Sequence, residues 1–176
     1  MKVLAFAASS SKKSINKQLV IYAASLLSDA EVEILDINDY EMPLYSMDRE
    51  QESGIPDAAH KFREKIGQAD ALLISFAEHN ASYTAAFKSL YDWTSRIDPK
   101  VYQGKPAVYL AASPGPGGAS NVLNTAVTSA PYFGADLKGS LSIPKFFDNF
   151  DVENGKLSDE TLLAELKSIL NALPSS

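Results

Sequence analysis

Five runs of apolar residues, each about as long as a β-strand, recur along the chain. They cover residues 3–8, 32–35, 71–76, 107–112 and, less distinctly, 135–141. The runs are mostly continuous rather than alternating, which is typical of strands covered on both faces, as in a parallel sheet flanked by helices. We therefore predict five strands in one buried sheet.

Between these runs, apolar residues recur at helical spacing and predict five helices. The stripes are Leu19, Ala23, Leu26 and Leu27; Ala58, Phe62 and Ile66; Phe87, Leu90, Tyr91 and Thr94; Val122, Ala126 and Val127; and Leu162, Leu166, Ile169 and Leu173. Ser14 or Asn16 can cap the first helix. Residues 38–55 and 144–155 form two longer polar connections. The alternation of strands and helices predicts a doubly wound α/β fold.

Composition narrows the class of protein. The chain has 176 residues, of which 45% are hydrophobic and 22% charged, so we predict a single domain over residues 1–176. The net charge of -6 disfavours nucleic acid and anionic membranes as partners. The apolar run at the amino terminus is shorter than a secretory core, and no run reaches the length of a membrane span. We therefore expect a soluble, cytoplasmic protein.

The chain contains no cysteine, which excludes disulfides, thiolate nucleophiles, iron–sulfur clusters and thiolate zinc sites. Its two histidines do not make a persuasive three-ligand metal site, so we expect no bound metal. Ser113 lies in no G-x-S-x-G elbow, which disfavours hydrolysis. Redox chemistry in this chain would require a bound organic cofactor.

A serine-rich loop after the first strand leads directly into the first helix. Free backbone N–H groups and the positive end of the helix dipole favour a phosphate there, and Ser9, Ser11, Ser14 and Asn16 can add hydrogen bonds. The alternative is a serine-rich turn that only caps the helix. Neither G-x-x-x-x-G-K-[ST] nor G-x-G-x-x-G occurs in the sequence, so the ATPase and dinucleotide-fold motifs are both absent.

Two further loops follow the third and fourth strands, at residues 77–83 and 113–118. Because ligands of open α/β sheets bind outside the carboxyl ends of the strands, these loops can face the same site. Gly115, Gly117 and Gly118 allow close approach of the backbone to a flat ring. The alternative for the glycines is a tight turn before a helix.

The loops, together with residues 88–96, resemble the NADPH-dependent FMN reductase family of flavodoxin-like proteins. The family's first motif, G-S-x-R-x-x-S-x-N, is matched at Ser9, Ser14 and Asn16, whereas Ala8 replaces its glycine and Ser11 its arginine. The second motif, P-E-Y-N-x-S-x-P-G-x-L-K-N-x-x-D-W-x-S-R, is matched at Glu78, Asn80, Ser82, Lys88, Asp92, Trp93, Ser95 and Arg96. In that motif His79 stands at the tyrosine position, and Thr84 and Ala85 at those of proline and glycine.

The resemblance, which spans about residues 2–141, implies a flavodoxin-like three-layer sandwich. Its five-stranded parallel sheet would have the order 2-1-3-4-5, with helices on both faces. It also implies that FMN performs the chemistry without a catalytic side chain, with NADPH or NADH as donor and a quinone, azo compound or free flavin as acceptor. The implied FMN-binding residues are Ser9, Ser11, Ser14, Ile15, Asn16, Ala77, Glu78, His79, Asn80, Ser113, Gly115, Gly117 and Gly118. A homodimer or homotetramer is implied as well.

Alternatives remain for the whole chain and for single residues. The departures from the motifs suggest a second hypothesis, a flavodoxin-like domain that binds FMN weakly or not at all and serves as a binding or regulatory module. A third hypothesis is an electron carrier.

Single residues also have alternative roles. His79 can stack near the ring or donate to an acceptor, or be only partly exposed. Glu78 can cap the helix that follows it or pair with a dimer partner. Asp92 and Trp93 can serve packing and ion pairing or a subunit contact, and Arg96 can complement the helix dipole.

Overall fold

The computed structural model describes residues 1–174, so Ser175 and Ser176, the end of the predicted domain, lie outside the described residues. The strands are β1 (Lys2–Ala8), β2 (Glu31–Leu35), β3 (Ala71–Phe76), β4 (Glu78–His79), β5 (Ser82–Tyr83), β6 (Pro106–Ala112), β7 (Asp136–Ile143), β8 (Phe150–Asp151) and β9 (Lys156–Leu157). The helices are α1 (Ile15–Ser25), α2 (Met47–Ser53), α3 (Asp57–Gln68), α4 (Ala85–Ile97), α5 (Ser120–Ser129), α6 (Phe146–Asn149) and α7 (Glu160–Leu170), with a 3-10 helix at Ile37–Tyr40.

Five of the strands form one sheet in the order β2-β1-β3-β6-β7. Every neighbouring pair in it is parallel. These are the five strands predicted from the apolar runs, and their order is the predicted 2-1-3-4-5. The remaining strands form two separate two-stranded hairpins, β4–β5 and β8–β9. The predicted α/β class and sheet topology are therefore confirmed.

The sheet separates two apolar cores, which explains why its central strands β1, β3 and β6 are continuous apolar runs; the edge strands β2 and β7 are partly exposed. In β1, alternate residues enter the core shared with α3, α4 and α5 or the core shared with α1, α6 and α7. The first set is Leu4, Phe6 and Ala8, and the second is Val3, Ala5 and Ala7. Because successive side chains of a strand point to opposite faces, a strand covered on both sides must be apolar at every position. The two helical layers and the sheet make the predicted three-layer sandwich.

The two long connections contain elements that the sequence pattern did not predict. The first contains α2 and all but the first residue of the 3-10 helix, and the second contains α6 and β8, whose partner strand β9 follows directly. Elements of two to seven residues are too short to show a hydrophobic period. Among the described residues, none of the helices has the length and apolar character needed to cross a membrane.

Candidate functional site

Three loops lie side by side at the carboxyl edge of the sheet, because the strands that precede them are neighbours in the order β1-β3-β6. They comprise residues 9–14 after β1, 77–84 after β3 and 113–119 after β6. The direction of chain progression reverses between β1 and β3, which is the point where open α/β sheets bind ligands. The structure thus brings the sequence-predicted loops together at one site.

The loop after β1 presents unpaired backbone donors at the amino end of α1. The Ser14 side chain caps the helix by accepting from Lys17 N at 3.4 Å, and Ser9 Oγ accepts from Ser11 N at 3.2 Å. Within residues 1–174, no partner is found for the backbone N–H groups of residues 12, 13, 15 and 16. The first turn of α1 carries no acidic residue. These donors and the helix dipole make the loop a fitting anion site.

The lysines around this loop differ in whether another residue compensates their charge. Lys17 Nζ lies 2.6 Å from Asp36 Oδ2, and this hydrogen bond is the main cause that lowers the pKa of the Asp36 carboxyl. The Lys17 charge is therefore compensated within the protein. Lys12 and Lys13 are exposed, and neither forms an ion pair with another described residue. These two lysines are the cations that the loop can offer to an anion.

Asn16 is bound to the protein rather than open to solvent. Its Oδ1 accepts from Ala112 N and from Ser75 Oγ, both at 2.9 Å, and its Nδ2 donates to Ala112 O at 3.2 Å. The residue is 3% exposed. The side chain thus positions the phosphate-loop candidate against the end of β6, and Ser14 rather than Asn16 caps α1.

The loop after β3 folds into the β4–β5 hairpin, which the sequence analysis missed. Asn80 and Ala81 form its two-residue turn with φ of 51° and 61°, and positive φ at both central residues is what a type I′ turn requires. Asparagine at the first position was the available signal, but alanine at the second gives none, because it rarely adopts this conformation.

Glu78 and Thr84 fix the two ends of this hairpin. Glu78 Oε2 accepts from Val122 N at 2.9 Å, so it caps α5, and the expectation that it caps the following helix is wrong. Thr84 caps that helix, α4, by accepting from Phe87 N at 3.3 Å, and its hydroxyl donates to Ala8 O at 3.0 Å. The carboxylate also compensates the dipole of α5, whose own N-cap, Ala119, has no side-chain cap.

Three polar side chains therefore link the three loops in pairs. Thr84 joins the loop after β3 to the end of β1, Asn16 joins the loop after β1 to the end of β6, and Glu78 joins the loop after β3 to α5. Each bond involves a backbone atom at the end of a strand or the start of a helix. The cross-links hold the loops in place without a ligand.

The glycines of the loop after β6 differ in their surroundings. An added Cβ at Gly115 or Gly117 would meet no heavy atom within 4 Å. At Gly118, φ is 59°, and a Cβ would overlap Ser142 Oγ and lie 3.0 Å from Pro144 N. Gly118 is thus required by the fold, whereas Gly115 and Gly117 leave the backbone accessible. Ser113, partly buried, donates from Oγ to Gly115 O at 3.3 Å.

Backbone strain concentrates at this edge of the sheet. Five described residues other than glycine have positive φ, and four of them lie in the loops at the carboxyl edge: Asn80, Ala81, Ala119 and Lys145. Such conformations cost roughly 1–3 kcal/mol each and cluster at functional sites. Lys145, in the loop after β7, is tied to the glycine loop by its N–H donating to Gly115 O at 2.9 Å.

The motif residues on α4 attach that helix to the first long connection. Trp93 Nε1 donates to Pro43 O at 2.6 Å, and Arg96 Nε donates to Glu50 Oε2 at 2.8 Å. Asp92 accepts from Lys88 one turn earlier. The packing and ion-pair roles expected for Asp92 and Trp93 are confirmed, and Arg96, in the last turn of α4, pairs with Glu50.

Residues 1–147 match the sequence profile of the family described as NADPH-dependent FMN reductase. The chain belongs to this family. It is 37% identical over 116 residues to an NAD(P)H-dependent FMN reductase of Pseudomonas aeruginosa, covering 65% of this chain and 61% of that protein. It is 37% identical over 117 residues to the 2-hydroxy-1,4-benzoquinone reductase of a Burkholderia species, covering 65% and 62%. The chain thus spans less than two thirds of the length of these two relatives.

Two further similarities cover nearly the whole chain of this FMN reductase family member. An NAD(P)H:quinone oxidoreductase of Solanum tuberosum is 32% identical over 184 residues, covering 98% of this chain and 91% of that protein. The flavoenzyme NAD(P)H:(acceptor) oxidoreductase FerB of Paracoccus denitrificans superposes with a TM-score of 0.76 at 25% identity, covering 97% and 93%. The family description names NADPH and FMN, and the names of both of these relatives state NAD(P)H-dependent oxidoreductase activity.

Proposed function

We propose that the protein is an FMN-dependent NAD(P)H oxidoreductase that reduces small acceptors, with quinones as the main class. The observation that carries this proposal is the set of free N–H groups at residues 12, 13, 15 and 16 beside the open glycine loop. An anion site next to accessible backbone matches the phosphate and the flat ring of FMN. Bound FMN supplies hydride transfer from the nicotinamide to the acceptor. The names of the quinone-reducing relatives support the acceptor class.

The proposed FMN contacts fall into two groups, those that would hold the phosphate and those that would border the ring. Lys12, Lys13, the free N–H groups and the hydroxyls of Ser9, Ser11 and Ser14 would hold the phosphate, and Ile15 would contribute its N–H. Residues 77–80, of which His79 and Asn80 are exposed and Ala77 is buried, would border the ring, as would Ser113, Gly115 and Gly117. Asn16, Glu78 and Gly118, which sequence reasoning placed among the ligand contacts, would position these loops through their bonds and packing within the protein.

Ligand titration tests the cofactor site. We expect FMN to bind the apoprotein more tightly than riboflavin does, measured by quenching of flavin fluorescence, and the difference to shrink as salt is added. Lys12→Ala and Lys13→Ala should weaken FMN but not riboflavin, with exposed Lys61 on α3 as the control position. Absence of flavin absorbance and quenching would overturn the proposal. FMN binding without oxidation of NAD(P)H by a quinone would indicate an electron carrier instead.

We also propose that the protein works as a homodimer or homotetramer in the cytoplasm, where NAD(P)H is produced. Leu44 and Met47, in the first long connection, are 64% and 65% exposed although α4 holds this segment in place. Burial of such rigidly held apolar side chains stabilises association. Light scattering should show a smaller particle for the double variant Leu44→Glu, Met47→Glu, whereas Ile21→Glu, exposed on α1, should not change its size. A monomeric wild type would contradict this assignment.

A further inference from the structure

The β4–β5 hairpin has an inner face and an outer face. On the inner face, Glu78 accepts from Val122 N, and its register partner Tyr83 packs among aromatic rings of the core. Because successive side chains of a strand point to opposite faces, His79 and its register partner Ser82 occupy the outer face. Both are exposed. The imidazole is thus presented to solvent at the edge of the sheet where the proposed flavin ring would lie.

No charged group of the surrounding elements competes for this imidazole. Helix α5, which packs against the hairpin, has no charged residue between Ser120 and Ser129. On α4, Lys88 is bound to Asp92 at 2.8 Å and Arg96 to Glu50. The Glu78 carboxylate lies on the inner face. Within the described residues, His79 makes no hydrogen bond or ion pair with these groups, so its ring nitrogens are free for a ligand.

The His79 imidazole is held in position because its hairpin is anchored at both ends. The hairpin is anchored at Glu78 and, just beyond its second strand, at Thr84, and its turn is the tightest that can join two strands. A side chain held on such a short element needs little reorganisation to meet a substrate. Ser82, opposite His79, adds a hydroxyl that can donate to the same oxygen atom.

We propose that His79 is the acid that protonates the quinone during its reduction. This role rests on the proposed function. The quinone takes up a hydride, two electrons and one proton, from reduced FMN at one oxygen. Its second oxygen then carries a negative charge, which is neutralised when the imidazolium transfers a proton to it. The products are oxidised FMN, the neutral hydroquinone and a neutral imidazole, which regains a proton from water. His79 thereby removes the charge that develops on the acceptor.

Rapid mixing of the holoenzyme separates the two halves of the reaction. His79→Gln should slow reoxidation of the flavin by 1,4-benzoquinone by about ten- to hundredfold, toward the low end of general-acid effects because water can reach the site. Bleaching of the flavin by NAD(P)H, and its reoxidation by ferricyanide, which takes electrons without a proton, should change much less than the reaction with quinone.

His60, the other histidine, is exposed on α3 and provides the matched control, His60→Gln. Equal rates of reoxidation by quinone for His79→Gln and the wild type would overturn the acid role. Equal slowing with quinone and ferricyanide would also overturn it, because the effect would then come from flavin placement. Failure of NAD(P)H to bleach the wild-type flavin, seen before any quinone is added, would instead refute the proposed function.

Discussion

The side-chain amide of Asn16 binds both backbone polar atoms of Ala112. It accepts from the Ala112 N–H at 2.9 Å and donates to the Ala112 carbonyl at 3.2 Å. In a sheet, the backbone of a neighbouring strand forms the same pair of hydrogen bonds, one accepted and one donated. Here the Asn16 side chain takes the place of such a strand at the end of β6. Asn16 therefore completes the hydrogen bonding of the sheet at the point where the glycine loop begins.

Asn16→Ala should lower the free energy of unfolding of the apoprotein by about 2–4 kcal/mol, because it leaves both Ala112 atoms and the Ser75 hydroxyl buried without their partner. Urea denaturation without FMN measures this change. Ser11→Ala, on the same loop but exposed, should stay within about 0.5 kcal/mol of the wild type. Normal apoprotein stability combined with weaker FMN binding would show instead that Asn16 contacts the ligand directly.

The glycines of the loop after β6 should separate into two classes when each is replaced by alanine. Gly118→Ala should destabilise the apoprotein by more than about 1 kcal/mol, because its φ of 59° and its contact with Ser142 exclude a Cβ. Gly115→Ala and Gly117→Ala should leave thermal unfolding of the apoprotein nearly unchanged, since their Cβ positions are open. A large increase in the FMN dissociation constant for these two variants, measured by fluorescence quenching, would locate the flavin at this loop. Unchanged binding would remove both from the site.

The Lys17–Asp36 pair should make stability depend on pH in the acid range. The folded-state pKa of Asp36 is lowered, chiefly by the hydrogen bond from Lys17, so its contribution is present above the ordinary carboxyl pKa of about 4 and is lost as pH falls through the folded pKa. Since the side chains remain 35% and 34% exposed, the contribution at pH 7 should be at most about 1 kcal/mol.

Urea titrations at neutral and acid pH test this contribution with Asp36→Asn, whose side chain still can cap the 3-10 helix. The variant should be less stable than the wild type at neutral pH, and the difference should shrink as pH falls through the folded-state pKa of Asp36, because the wild-type side chain then also becomes neutral. A difference that stays constant with pH would show that the charge of Asp36 does not contribute.

Tyr109→Phe should not destabilise the protein and should raise its free energy of unfolding by up to about 1 kcal/mol. The Tyr109 hydroxyl is buried under α4 and α5. It makes no hydrogen bond of normal geometry to another described residue, although its interaction with the neighbouring Tyr102 hydroxyl lowers its pKa against the larger effect of burial. Removing an unpaired buried hydroxyl removes its desolvation cost. Thermal unfolding gives the readout, with Tyr132→Phe, at an exposed hydroxyl, as the neutral reference. A loss of stability in Tyr109→Phe would reveal a bound water or an alternative partner.

The sheet could be predicted from sequence because its central strands β1, β3 and β6 are buried on both faces, so that each is a distinct apolar run, whereas the exposed edge strands β2 and β7 give weaker signals. The β4–β5 hairpin could not be predicted, because its strands have two residues each and Ala81 gives no turn signal. Asn16 shows a second limit of prediction from sequence. Residue type and position marked it as part of the site, but the partner of its side chain is a backbone group far along the chain.

Capping was predicted correctly only where it is local. Ser14 caps the helix that it precedes, as expected, whereas Glu78 caps α5 across the site and leaves α4 to Thr84. Local spacing contains no information about which helix end comes close in three dimensions. The presence of polar residues in the site could be read from motifs, while the distinction between ligand contacts and positioning bonds required the fold.

The cross-links between the loops also set an order of events during synthesis of the protein. Thr84 reaches back 76 residues to Ala8, Asn16 reaches forward 96 residues to Ala112, and Glu78 requires Val122, 44 residues ahead. Contacts of such separation form late, after loop closure has been completed. In a chain still attached to the ribosome, the three loops therefore do not reach their final arrangement before Val122 has emerged. The site that we propose for FMN forms only when the sheet and α5 have come together.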